Sequence, residues 1–206
     1  MMMQTPIVLV ARNRSRMSEF YKITKDKPPS PLLKKAVSLL GGKGHALDLG
    51  CGAGRDTRFL LEQGFTVVAV DKELRAGEML KEFAHKNLRF VSDSFENFAF
   101  EKYDLVTAQW SLPFVAMKMF DKVFARVKNS LEPRGIFAGQ FFGVNDEWNT
   151  PGRRMTFHAK DQLRGLLRGM KTLEFREEEI DGNLADGTPK HWHVFHVIAR
   201  KPLTRP

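Results

Sequence analysis

The chain is short of several things, and each shortage excludes something. It has one cysteine, Cys51, in 206 residues, so no internal disulfide can staple it, which fits a reducing, cytoplasmic setting. No apolar run approaches the ~20 residues that a membrane-spanning helix needs, so no membrane partner is expected. The longest near the start, Pro6 to Ala11, is too short for the core of a secretory leader. Acid is absent from the segment up to Arg16, which carries Arg12 and Arg14 as well; organelle transit peptides share that composition. Acids are outnumbered overall, 24 against 33 bases, for a formal net charge of +9. The bases are scattered, with Arg12-Arg14-Arg16 and Arg153-Arg154 as small clusters, so a solvated basic surface explains them without a nucleic-acid partner.

A hydrophobic fraction of 42% with 28% charged residues is that of a globular protein with room for one full core. Residues 1–29 read as an extended lead-in and lid, and 30–206 as one domain. Ser30 is placed to cap a helix that Pro31 opens, with Leu32, Leu33, Ala36, Val37, Leu39 and Leu40 on its apolar side and Gly41-Gly42 as its stop. Further on, apolar runs at 45–49, 65–71, 88–91, 103–109 and 136–142 alternate with helical patterns at 73–86, 114–130 and 160–168. Strands alternating with helices imply a parallel sheet with right-handed crossovers. The last two strands, 173–180 and 192–199, are joined through Asp186-Gly187 without a helix, and predict an antiparallel hairpin at the sheet edge.

The stretch from Asp48 to Asp71 carries the chemistry. Asp48-Leu49-Gly50-Cys51-Gly52-Ala53-Gly54-Arg55 follows a short apolar strand, precedes a helix, and leads to a second strand ending in Asp71. That is a nucleotide-binding half-sheet with a carboxylate placed for a ribose. Arg55 stands where a dinucleotide fingerprint wants its third glycine, and Asp48 would repel a pyrophosphate while suiting an ammonium group. S-adenosyl-L-methionine has a ribose and an amino acid but no phosphate, and fits. Cys51 reads as a small packing residue rather than a nucleophile. Gln109 and Trp110, ending the fourth strand, should face the methionine end. The acceptor should lie beside 109–114, near Trp110, Phe114 and Trp148, with His158, His191 and Arg154 as the catalytic candidates, Arg154 as an oxyanion fork, and Arg153 solvated. His191 and His193 share a strand face and His196 the other, which falls short of a metal site, so none is expected.

These residues resemble motifs I and II of the class I methyltransferases. The resemblance implies a Rossmann-like fold: a mostly parallel seven-stranded sheet with helices on both faces and a C-terminal antiparallel hairpin. It gives Asp93 the adenine amino group, with Ser94 and Phe95 beside the ring, and adds Lys72 and Arg55 to the cofactor set. Gly52-x-Gly54-Arg55-Asp56-Thr57, Val70-Asp71-Lys72, Met155-Thr156-Phe157-His158 and Lys190-His191-Trp192-His193 resemble the tellurite-resistance and thiopurine methyltransferase-like branch. That branch implies a small-molecule acceptor such as a thiol or chalcogen oxyanion, a cytoplasmic enzyme, and a monomer or homodimer. Ser111-Leu112-Pro113-Phe114 lacks the N/D-P-P-Y/F box of base-amine methylation, and no catalytic cysteine is near for pyrimidine-carbon methylation. Two alternatives stand: an RNA or protein methyltransferase using the Arg12-Arg14-Arg16 arm, and a cofactor-binding protein without catalysis.

Overall fold

The computed structural model describes residues 14–203. Fifteen elements follow in order: α1 (Arg14–Thr24), α2 (Pro31–Leu40), β1 (His45–Leu49), α3 (Arg55–Glu62), β2 (Thr66–Asp71), α4 (Leu74–Lys81), β3 (Leu88–Ser92), β4 (Tyr103–Ala108), a 3-10 turn (Leu112–Phe114), α5 (Met117–Ser130), β5 (Leu131–Gly143), β6 (Phe157–His158), α6 (Lys160–Leu166), β7 (Lys171–Asn183) and β8 (Pro189–Arg200). The sheet runs β3-β2-β1-β4-β5-β8-β7, with the two residues of β6 added beside β5 as an eighth strand. β1 to β6 pair in parallel, and β8 pairs antiparallel with β5 and β7. The strand order reverses between β1 and β4, which puts the crevice for a ligand beyond their carboxyl ends.

Period-two alternation builds two layers. Leu47 and Leu49 of β1 join Val106, Phe124 and Phe137 on the α5 face, while Ala46 joins Leu33, Leu60 and Phe65 on the α2–α3 face. Burying a side chain such as Leu33 contributes about 1.5–3 kcal/mol, and the same alternation sends Asp48 toward α3. The β7–β8 hairpin closes as its turn residues require: Gly187 has φ 87°, and the Leu184 N–H donates to Thr188 O at 2.7 Å.

Three expectations need correction. The lead-in is helical over Arg14–Thr24 rather than extended, because Tyr21 packs into a core cluster with Cys51, Ala53 and Ala76. Of the basic arm, Arg12 lies outside the described residues and the other two open α1. Ser30 precedes α2 but makes no capping bond with its side chain; the hydroxyl goes to Gln109 instead. No helix among the described residues is long and apolar enough to cross a membrane.

Candidate active site

After β1 the chain turns through three glycines that all adopt left-handed φ values, 78° at Gly50, 53° at Gly52 and 80° at Gly54. The Gly50 and Cys51 N–H groups donate to Val70 O at 2.7 and 3.1 Å, strapping the turn onto the end of β2. A Cβ at Gly50 would sit 2.4 Å from Ser111 Cβ and 3.3 Å from Phe95 Cζ; one at Gly54 would meet Leu80 at 2.4 Å. At Gly50 and Gly54 only bare backbone fits, because neighbouring side chains fill the space a Cβ would take.

The carboxylates sit at neighbouring strand tips. Asp71 Oδ2 accepts from the Gly52 N–H and Oδ1 from the Glu73 N–H, both at 3.0 Å. Burial raises its pKa, and those two N–H groups act against the shift. A carboxylate has about four lone-pair directions, so two remain for incoming hydroxyls. The Asp93 N–H donates to Asp71 O at 3.2 Å, and Asp93 Oδ1 accepts from the Ser94 N–H at 2.8 Å. Phe95 is half-buried beside Gly50, and Lys72 is exposed. Arg126, which sequence reasoning passed over, holds this loop by donating to the carbonyls of Phe95, Glu96 and Phe98.

Beneath the glycines lies a buried polar chain. Asp48, 2% exposed, accepts from Thr57 Oγ1 at 2.6 Å. Burial, with Asp56 nearby, pushes its pKa up to about 7. Asp48 therefore lies under the turn, not at its surface. Arg55 pairs with Asp56 at 2.6 Å, and Asp56 Oδ1 accepts the Ser30 N–H at 2.7 Å. Ser30 Oγ reaches Gln109 Oε1 at 2.7 Å, as does Gln140 Nε2 at 3.0 Å. Gln109 Nε2 donates to Thr107 Oγ1 at 2.8 Å. Gln109 thus has its side chain committed inside the domain. Gln140 Oε1 finally accepts the Trp110 N–H at 3.0 Å. That bond matters because Trp110 has φ 62°, a left-handed conformation rare for a bulky residue and found mostly where surrounding structure imposes it.

Tyr21 covers the turn from α1. Its ring stands 3.7 Å from the place of a Gly52 Cβ, and its hydroxyl is buried without a hydrogen-bond partner. Burial raises its pKa, with Asp71 and Cys51 adding to the shift. Burial likewise raises the Cys51 thiol well above its ordinary value, which suits packing and not attack.

The face beyond the exit of β4, beside β6, is aromatic. The Thr156 N–H donates to Pro113 O at 2.9 Å and Thr156 Oγ1 to Val115 O at 2.6 Å, tying the segment before β6 to the exit of β4. Trp110 lies 5.8 Å from Trp192, 5.8 Å from His196 and 6.3 Å from Phe142, centroid to centroid; Trp148 completes the group, 5.7 Å from Trp192. Inside it Lys190, paired with Asp146 at 2.6 Å and with both side chains at most 1% exposed, places its ammonium 3.9 Å from the Trp192 centroid and 4.6 Å from that of Trp148. Burial lowers the Lys190 pKa, and Asp146 opposes the shift. Sequence reasoning missed this lysine, although period-two spacing puts it on the face of Trp192 and Val194.

The proposed polar contacts do not converge. His191 lies on β8 with its side chain partly exposed, its Nδ1 2.7 Å from Asp181 of β7, and that bond chiefly raises its pKa. Arg154 is exposed, while Arg153, expected to be solvated, is half-buried with its guanidinium 5.4 Å from the Trp148 centroid. His158 is buried against Phe120 and Phe141 with Nδ1 unpartnered. Among the described residues no group of three or more His, Cys, Asp or Glu side chains could hold a metal ion.

Burial holds His158 and His196 at a pKa of about 4, so the unfolded chain takes their protons first. Each contributes stability that is complete above ~6.5 and lost as pH falls through 4, on the order of 3 kcal/mol per residue. Asp48 acts with the opposite sign between pH 4 and 7, because the folded state keeps its proton longer. Melting curves should separate the two: His158→Phe gains on the parent as pH drops from 7 to 4.5, whereas any advantage of Asp48→Asn shrinks. Parallel curves for parent and His158→Phe would show that the imidazole is not buried neutral.

Residues 46–135 match the family of methyltransferase domains. The curated ribosomal RNA small subunit methyltransferase A of Mesomycoplasma hyopneumoniae is 32% identical over 101 residues, which cover 43% of this chain and 39% of that protein. Among solved structures, TehB of Haemophilus influenzae superposes with TM-score 0.66 at 18% identity, over 93% of this chain and 63% of that one. The chain thus spans less than two thirds of both. The 1,6-didemethyltoxoflavin-N1-methyltransferase of Burkholderia thailandensis gives 0.63 at 21% identity, covering 96% of this chain and 94% of that one. The N-methyltransferase NodS of Bradyrhizobium japonicum gives 0.62 at 18% identity, over 92% and 96%. The match over residues 46–135, under half of the chain, makes that stretch similar to a methyltransferase domain, and the superpositions give the chain the fold of the solved methyltransferases named above.

Proposed function

We propose that the chain transfers the methyl group of S-adenosylmethionine to a small-molecule nucleophile, with a thiol or chalcogen oxyanion as the acceptor class. The observation that carries the reading is the cradle at the switch point: bare glycine backbone at Gly50, Gly52 and Gly54 under two adjacent carboxylates, Asp71 and Asp93. When bound, the cofactor supplies an electrophilic methyl group on a sulfonium. Asp71 takes the ribose hydroxyls, Asp93 the adenine amino group, and Phe95 the ring face; Tyr21 and α1 shield the turn from water. Trp110, fixed by Gln140, forms the wall along which the acceptor approaches in line. An acceptor that ionises unaided suits this site. His158 is walled in by phenylalanines and His191 is taken up by Asp181, so neither stands ready as a general base.

The curated relative's name and the net charge of +9 favour a second reading, methylation of RNA. Transfer of labelled methyl from S-adenosylmethionine, with tellurite, small thiols and total RNA offered in parallel, decides between them. We expect volatile or small-molecule label. Label confined to precipitable RNA would overturn the small-molecule reading.

A further inference from the structure

The Arg153 guanidinium is one of three among the described residues whose Nε is buried without a hydrogen-bond partner, with Arg58 and Arg200. A turn closed by the Arg153 N–H to Thr150 O at 3.2 Å, with Gly152 at φ 81°, lays the side chain over Trp148. Nε is buried and has no hydrogen-bond partner, and no carboxylate among the described residues pairs with the group. A buried donor on a cation is costly to leave unmet. The other cation in this cluster, Lys190, is committed to Asp146. Arg58 stacks on Phe83 in the same way, but it belongs to α3 behind the glycine turn, whereas Arg153 lies three residues before Thr156, which is bonded to Pro113 at the exit of β4.

We infer that Arg153 is the specificity-determining residue for the acceptor, and that the acceptor carries a carboxylate or like oxyanion held by this guanidinium. The inference rests on the methyltransferase reading of the neighbouring cleft. Stacking on Trp148 fixes the plane of the fork and leaves its edge free for a two-point contact, which an ammonium could not give. The flanking aromatic rings favour an apolar or aromatic body next to the anionic group, while the reacting atom reaches Trp110.

Benzoate and its neutral isostere benzamide are suitable probes, titrated calorimetrically into the protein with and without S-adenosylhomocysteine. Benzoate should bind at least ten-fold more tightly than benzamide. Arg153→Met should erase that preference, Arg153→Lys should retain only part of it, and Arg58→Met should leave it intact. Equal binding of the two probes, no benzoate binding, or a preference that survives Arg153→Met would each overturn the inference. Loss of S-adenosylhomocysteine binding in the parent protein would instead count against the cofactor reading, which the same titrations report separately.

Discussion

Asp71→Ala should weaken S-adenosylhomocysteine binding by at least a hundredfold. The carboxylate ends β2 with each oxygen already holding one backbone N–H, from Gly52 and from Glu73. Two lone-pair directions remain, and hydrogen bonds from ribose hydroxyls to a charged acceptor contribute about 1.5–3 kcal/mol each. Losing both amounts to about 3 kcal/mol or more, which is the hundredfold. The alanine also strips the glycine turn of its tether, so a lowered melting temperature should accompany the lost affinity. Asp71→Asn should fall between the parent and the alanine variant, because its one oxygen keeps one of the two backbone N–H groups while its NH2, a donor, opposes the other. Calorimetric titration reads the result. Parent-like affinity in the alanine variant would mean that the ribose lies elsewhere.

The largest effect on stability belongs to Lys190. Its ammonium is enclosed by Asp146, Trp148, Trp192 and Phe142, and Asp146 also accepts the Trp148 and His193 N–H groups at 3.0 and 3.3 Å. Lys190→Met would leave the Asp146 carboxylate buried and without its counter-charge. Breaking one side of a buried pair costs about 3–5 kcal/mol, or roughly 10 °C in melting temperature for a domain of this size. Adding Asp146→Asn removes the orphaned charge and keeps an acceptor for one of the two N–H groups, which bond to different oxygens, so it should recover part of the loss. Denaturant unfolding of the single and double variants provides the comparison. A single variant within about 1 kcal/mol of the parent would show that the pair is not stabilising the segment around Asp146 and Trp148.

The cofactor half of the fold was legible in the sequence because its signals are local. Glycine spacing, an apolar strand on either side and Asp71 at the second tip are all set within 24 residues, from 48 to 71. The elements that escaped depend on distant partners. α1 offers little apolar pattern of its own, and its helix is held by Tyr21 against Cys51 and Ala53. β6 is two residues long, too short for any periodicity. Nothing near Trp110 announces a left-handed residue; Gln140, thirty positions later, imposes it. Arg153 and Arg154 are indistinguishable as sequence, and only the turn ending at Arg153 decides which one meets Trp148. The lysine inside the aromatic group was half legible, through its strand alternation, but Asp146, 44 residues away, was not.

The chain of bonds from Asp56 through Ser30, Gln109 and Gln140 to Trp110 has an evolutionary consequence. Gln140 bonds both Gln109 and the Trp110 N–H, so a drift of Gln140 to leucine takes a partner from the one and leaves the left-handed tryptophan N–H unmet, while a drift of Ser30 to alanine takes the other partner of Gln109 Oε1. Such positions change as a set or not at all. Lineages that lose the set should carry glycine or asparagine in place of Trp110, and with it a different wall facing the acceptor. Specificity in this fold would then shift by jumps, when the whole hydrogen-bonded string is exchanged, and not by gradual trimming of the pocket.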